Sequence, residues 1–368
     1  MTSKSYTTHM YVIIPAYNAS AYLNDLAESL SSQTYSGPKT AVFVNDGSSD
    51  NTLEVLESLV LEGFQKIVIS NDHVGVSVTR NAGLTWLREN ADSGFALFLD
   101  ADDMLENEAL QIVAEQMQRE NLDILAFGTK PFYESAELEK AFPSYKTYYQ
   151  RKGDYPEVIS GPEYLSKILD NNDFLASVCL QAFSVDFLKK NQLAFYPGII
   201  HEDNLFTFEA ILLAKAIRYI NASLHIRRVR AGSIMTASAE TASLDGYFRC
   251  AIEAIDFIKQ NDLDNLSPVD CASMIDMWQN SAVDHYAVLD KKQIDELITR
   301  YTTVEQTLFA VLIQQRAEDR KRHEQQTAKA AIKIKADTED EIRAKFENSA
   351  SFKLGRTLTS IPRKLLGR

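Results

Sequence analysis

Five short apolar runs in the first 128 residues, at 11–14, 41–44, 66–69, 95–99 and 124–127, constrain this chain most strongly. They are rich in Val, Ile, Leu and Phe and do not alternate with polar residues, which suits strands covered on both faces of a parallel sheet. Helical patterns lie between them: Tyr22, Leu23, Leu26 and Leu30, then Leu53, Leu56 and Val60, and later Leu110, Val113 and Met117. Asp50 is placed to cap the second of these helices. Repeated β-α-β units predict an α/β fold, an open, doubly wound, mostly parallel sheet flanked by helices, with ligands at the carboxyl ends of the strands. Residues 130–160 break the rhythm with Pro131, Pro143, Pro156 and several Tyr, as an insertion over the sheet would. Residues 245–315 read as helices, and 316–347 as a charge-rich helical stretch without glycine or proline.

Charge is unevenly spread. The net charge is −13, yet residues 353–368 carry +5 and 316–347 carry +1, so the body at 1–315 holds −19. An acidic body argues against nonspecific nucleic-acid binding. No window approaches the roughly 18 consecutive apolar residues of a membrane span, and the N-terminus lacks a signal peptide's apolar core, so a cytoplasmic location is expected. Cys179, Cys250 and Cys271 have no close spacing, which suggests neither a disulfide framework nor a zinc site.

Polar residues gather where the apolar runs end. Asp100, Asp102 and Asp103 crowd the end of the fourth run, where like charges raise one another's pKa unless something positive sits between them. A divalent metal with a phosphorylated substrate would do so, since Mg2+ is usually bound by one or two carboxylates plus phosphates; a solvated acidic turn is the alternative. Asp46 can accept a hydrogen bond from a base N–H, and Gly47 allows close backbone approach, or 46–49 is simply a turn feeding the Asp50 cap. Arg80 can meet a diphosphate or hold Asp100 in an internal ion pair. Neither a G-x-G-x-x-G nor a P-loop lysine motif is present to bind phosphate.

The ordered blocks VIIPAYNASAYL (12–23), VNDGSSDNT (44–52), GVSVTRNAGL (75–84), FLDADD (98–103), HEDNLF (201–206) and RRVRAGSIMT (227–236) resemble the signature of family 2 glycosyltransferases of the GT-A fold, in their bacterial surface-polysaccharide branch. The resemblance covers about 1–236. It departs from the family's common pattern at Ala101, often serine, and at Val78 or Thr79, often alanine. It implies that Pro15, Ala16, Tyr17, Asn18 and Asp46 bind the nucleotide, usually uridine diphosphate. Asp102 would ligate Mg2+ or Mn2+, with Asp100 near the ribose or the metal shell, and Asp203 would be the catalytic base. Glu202 is the rival base or an orienting group. His201 reads as a loop or acceptor-site residue. Arg228, Arg230 and Ser233 are candidates for the diphosphate, and Asp103 for the acceptor.

These expectations divide the chain into a glycosyltransferase domain at 1–240, with a nucleotide half to 128 and an acceptor half beyond it. A helical region at 241–315 and a charged segment with a basic tail at 316–368 follow. The expected reaction is inverting transfer of a hexosyl or N-acetylhexosaminyl group from a UDP-sugar to a hydroxyl of a glycan or lipid-linked acceptor. The tail, SFKLGRTLTSIPRKLLGR, mixes six apolar side chains with five cations, and 352–368 is expected to touch an anionic membrane surface from the cytoplasmic side. Segment 316–347 reads as a spacer or as a helix that joins copies of the chain in a homo-oligomer. The rivals are a non-catalytic glycan- or nucleotide-binding scaffold, against which Asp100, Asp102 and Asp203 argue, and a nucleotidyltransferase, for which PAYNAS is a poor triphosphate loop.

Overall fold

The computed structural model describes residues 8–230, 240–261 and 266–348. All five apolar runs are strands: β1 (Met10–Ala16), β2 (Lys39–Asp46), β3 (Gln65–Asn71), β4 (Phe95–Phe98) and β6 (Ile124–Tyr133). With β5 (Met104–Leu105), β7 (Gln181–Ser184) and β8 (Ile217–Val229) they form one eight-stranded sheet, in the order β3-β2-β1-β4-β7-β6-β8-β5. Six strands run one way; β7 and β5 oppose them. The fold is therefore the α/β, mostly parallel sheet expected from the sequence.

Successive side chains on a strand point to opposite faces, and here both faces are covered. Ile13, Phe98 and Ile124 join one core, while Val12, Ile14, Leu97, Leu99 and Leu125 join the other. That second core is closed by α1 (Leu23–Ser31) and α4 (Ala109–Glu120), through Leu23, Leu26, Leu30, Leu110, Val113 and Met117. On the first face α3 (Val76–Asn90) lies close over β1, because Gly83 has no side chain: a Cβ there would stand 2.4 Å from Ile13 Cγ2. The same core takes residues of α6 (Gly161–Asp170), α7 (Val185–Asn191), α8 (Glu202–Leu213), α9 (Glu240–Gln260) and α10 (Pro268–Tyr286).

Three local readings need correction. The N-cap position of α2 (Thr52–Ser58) is Asn51, which makes no side-chain capping bond; Asp50, one residue earlier than a cap, still accepts from the first helical amide, Thr52 (3.0 Å), and from the Ser20 hydroxyl (2.7 Å). Val60 lies beyond the end of α2 and is exposed. The segment read as an insertion from residue 130 begins as strand, since β6 runs to Tyr133. Pro131 is tolerated there because β6 pairs with β7 only through Ala126, so beyond it one edge is free and no ladder N–H is needed. The short α5 (Ala136–Ala141) follows.

The chain separates into two compact units, one up to Arg300 and one from Tyr301. The first ends with α11 (Lys291–Ile298). The second contains α12 (Thr303–Phe309), opened by a Thr302–Glu305 capping box, a π-helical turn at Ala310–Gln314, and the 34-residue α13 (Gln315–Asn348). Among the described residues no helix is long and apolar enough to cross a membrane.

Candidate active site

The carboxyl ends of β1, β2 and β4 open onto one cavity of about 1010 Å³, lined by Pro15, Ala16, Tyr17, Asn18, Asp46, Arg80, Asp100, Asp102, Asp103, His201, Glu202, Asp203, Arg228 and Arg230. Every proposed site residue is thus on it except Ser233, which lies outside the described residues. Parallel strands deliver their following loops to the same edge, which is why segments nearly 200 residues apart converge.

The first two loops are knitted together. Asn18, at a positive φ of 47°, accepts from the Ser49 amide through Oδ1 (2.8 Å), and its own amide donates to Ser48 Oγ (3.0 Å). Gly47 is required at φ 63°, where a Cβ would stand 2.6 Å from the His73 amide nitrogen. Asp46 accepts from the amides of Val74 (2.8 Å) and Gly75 (3.0 Å), one on each carboxylate oxygen, and so anchors the start of α3. His73, also against Asp46, stacks on the half-exposed Tyr17 ring at 4.2 Å.

The aspartate cluster divides into three environments. Asp100 is half-exposed and pairs with Arg80 (2.8 Å). Its surroundings desolvate the carboxyl and would raise it, but Arg80, with Arg227 and His225, together hold it below the usual range. Asp102 moves the other way: burial and the charges of Asp103 and Asp100 raise it against the pull of Arg230, whose Nε donates to Oδ2 (2.8 Å). Asp103 is buried, accepting from the Arg228 amide (2.8 Å) with His225 Nε2 3.1 Å from its other oxygen. It ties the turn to β8.

Two crowded carboxylates facing a cavity fit a hard divalent cation completed by phosphate oxygens. Among the described residues no group of three or more His, Cys, Asp or Glu side chains could hold a metal by itself, so Asp100 and Asp102 would need such outside ligands.

Arg80 links this corner to the HEDNLF segment. Its guanidinium is buried between Asp100 and Glu202; burial lowers its pKa, but these carboxylates prevail and raise it. Of the two roles open to Arg80, the internal ion pair is the one present. Glu202 is buried with it, an orienting arrangement. Asp203, in the first turn of α8, has its carboxyl pushed up to about 7 by burial and the neighbouring Glu202 charge, against Arg80 and Arg227. His201 adopts a left-handed φ of 66° ahead of α8, bonds Ser243 (3.1 Å) and stacks on Tyr247 at 4.3 Å. Burial, with His285 nearby, lowers it to about 4, so the ring is neutral at neutral pH.

On β8 the basic residues have unlike surroundings. Arg228 is buried between the Tyr22 and Phe132 rings, donating to the Asp102 carbonyl (2.8 Å) and Asp25 (2.7 Å). A buried guanidinium must satisfy its N–H groups within the protein, so this side chain is a strut rather than a free anion ligand. Arg227, absent from the sequence expectations, lines the cavity over the Tyr149 ring at 4.5 Å and makes no ion pair among the described residues. Strand alternation alone offered no signal for it, since it sets Arg227 on the face opposite Arg228 and Arg230, and all three line the cavity. Tyr22, from the 12–23 block, and His73, just past the end of β3, also line the cavity, joined by Tyr145 and Tyr149 from the segment after β6.

Residues 11–165 match the family described as Glycosyl transferase family 2. Glycosyltransferase GlyA of Streptococcus pneumoniae is 27% identical over 227 residues, covering 61% of this chain and 31% of GlyA. The glycosyltransferase YibD of Escherichia coli is 28% identical over 221 residues, covering 60% of this chain and 61% of YibD. The chain therefore spans less than two thirds of the length of either. In fold it resembles Staphylococcus aureus TarS 1–349 in its UDP complex (TM-score 0.58, 20% identity, covering 79% of this chain and 78% of that one) and its UDP-GlcNAc complex (TM-score 0.57, 20% identity, covering 83% and 79%). With these blocks meeting in one cavity on the same kind of sheet, residues 11–165 carry the likeness to glycosyltransferase family 2, over somewhat less than half of the chain.

Proposed function

We propose that this protein transfers a sugar from a nucleotide-sugar, UDP-linked, to a hydroxyl of a glycan or lipid-linked acceptor in bacterial surface polysaccharide synthesis, with inversion at the anomeric carbon. The observation that carries the reading is Asp203, a carboxylate pushed up to about 7, on the same cavity as the Asp100–Asp102 corner. A general base works best with a pKa near the working pH.

The loops at Pro15–Asn18 and Asp46 hold the nucleoside, with Tyr17 and His73 as the stacked aromatic pair beside it. Asp46 Oδ1 keeps one hydrogen-bond acceptor site beyond the Val74 amide, while Oδ2 already takes the Gly75 amide and faces His73 Nδ1 at 3.1 Å. Asp100 and Asp102 hold Mg2+ or Mn2+, which when bound stabilises negative charge on the leaving diphosphate. Arg227 and Arg230 supply further positive charge to that diphosphate. Asp203 takes the proton of the acceptor hydroxyl as its oxygen bonds to the anomeric carbon and the bond to the diphosphate breaks. Glu202 and Arg80 hold the turn that carries Asp203. The fold likeness to a protein crystallised with UDP-GlcNAc supports a UDP-sugar donor.

A panel of UDP-sugars with Mn2+, scored for UDP release and for transfer to glycan acceptors, tests the reading. One donor should turn over, and Asp203→Asn should lower turnover about 10²–10⁴-fold, the usual worth of a general base, with donor binding kept. Turnover unchanged in that variant would remove Asp203 from its role. Silence with every nucleotide-sugar, in protein shown to be folded, would overturn the activity.

A further inference from the structure

The turn bearing Asp203 is gripped by helices that lie beyond the family match. Gly246 of α9 lets the Ile200 carbonyl approach so closely that a Cβ would stand 2.2 Å from its oxygen. From α10 comes Trp278, fully buried, its ring edge-on to Phe208 of α8 at 5.4 Å and 82°. Its Nε1 donates to Asn204 Oδ1 (3.1 Å). Asn204 Nδ2 in turn donates to Asp203 Oδ1 and to the His201 carbonyl, both at 3.3 Å.

An indole N–H can only donate. The Asn204 amide must therefore turn its oxygen toward Trp278, which leaves its nitrogen toward Asp203. The flipped amide would set N–H against N–H at Trp278 and oxygen against oxygen at both other contacts. The chemistry of the neighbours thus assigns the orientation.

We propose that Trp278 is a positioning residue for the catalytic carboxylate: through Asn204 it engages Asp203 Oδ1 and leaves Oδ2 to receive the acceptor proton. The inference rests on the reading of Asp203 as base. The other groups facing that carboxylate are Glu202 on its own helix, Arg80 on α3, Asp100 after β4, Arg227 on β8, Tyr149, and Tyr247 and Cys250 on α9. None of them fixes the Asn204 amide.

Trp278→Phe keeps an aromatic ring and removes the donor; replacing Trp278 by benzothienylalanine, which keeps the bicyclic shape without an N–H, separates the hydrogen bond from packing. Each variant should lower kcat roughly five- to tenfold, the worth of one net hydrogen bond, with donor KM unchanged. A donor to the charged carboxylate lowers its pKa, so the acid limb of kcat/KM against pH should move upward in both. The benzothienyl protein decides the matter if Trp278→Phe does not fold. Unchanged kcat and unchanged acid limb in a folded variant would overturn the inference. Run beside them, Asp203→Asn tells the two failures apart: its losing turnover while the Trp278 variants keep theirs refutes the positioning role alone, and its keeping turnover refutes the base and the positioning together.

Discussion

Asp203 and Asp102 are both raised, by burial and by like charges, but with different consequences. For Asp203 the ionised form is the base, so activity should be present above about pH 7 and fall as pH drops below it. A rate profile of kcat/KM that stays flat from pH 5.5 to 8 would remove this carboxylate from the rate equation. For Asp102 the excess negative charge favours a cation beside it. Calorimetry should find UDP binding strengthened by Mn2+ in the native protein and insensitive to Mn2+ in Asp102→Ala; equal metal dependence in both would place the metal elsewhere. The residue types were legible in the sequence, because three carboxylates at a strand end and an acidic pair downstream are local facts. Their partners were not. Arg228 has the composition of a phosphate ligand, and only its burial between Tyr22 and Phe132 reveals a strut.

At the level of elements, α8 and α9 set a second acidic pair, Glu209 and Glu253, half-buried and away from the cavity. Burial and Glu253 push Glu209 up to about 8 from the ordinary 4.5. A carboxyl raised on folding adds stability that is complete below about pH 4.5 and is lost as pH rises through about 8. Glu209→Gln should therefore melt higher than the native protein at pH 8.5, with the difference closing toward pH 5; melting curves that coincide at pH 8.5 would contradict it. The elements were largely readable ahead of the structure where hydrophobic period and turn residues agreed, as in β1, β2, β4 and α4. Reading failed at β6, where Pro131 suggested a break. A proline is compatible with a strand whose neighbour ends early, and the length of the neighbour is not written in the strand itself.

Across the whole molecule, an acidic body precedes a tail with five cations and no acid at 353–368. That tail lies outside the described residues, so its expected membrane contact remains a proposal argued from composition. At about 1 kcal/mol per cation near an anionic surface, the full chain should sediment with phosphatidylglycerol vesicles at low salt and be released by 0.5 M salt, whereas a chain ending at 351 should stay in solution. Equal behaviour of the two chains would place any membrane contact elsewhere.

Sequence by itself determined the β-α-β order and the chemical identity of the acids at the strand ends, because periodicity and turn chemistry act over a few residues. Tertiary structure decided how those acids behave. It joined Arg80 to Glu202 across 122 positions, the Arg228 amide to Asp103 across 125, and Trp278 to Asn204 across 74. Contacts at such separations follow from how two faces of a sheet are covered. The pKa of a buried carboxylate depends on the burial and the charges those contacts bring.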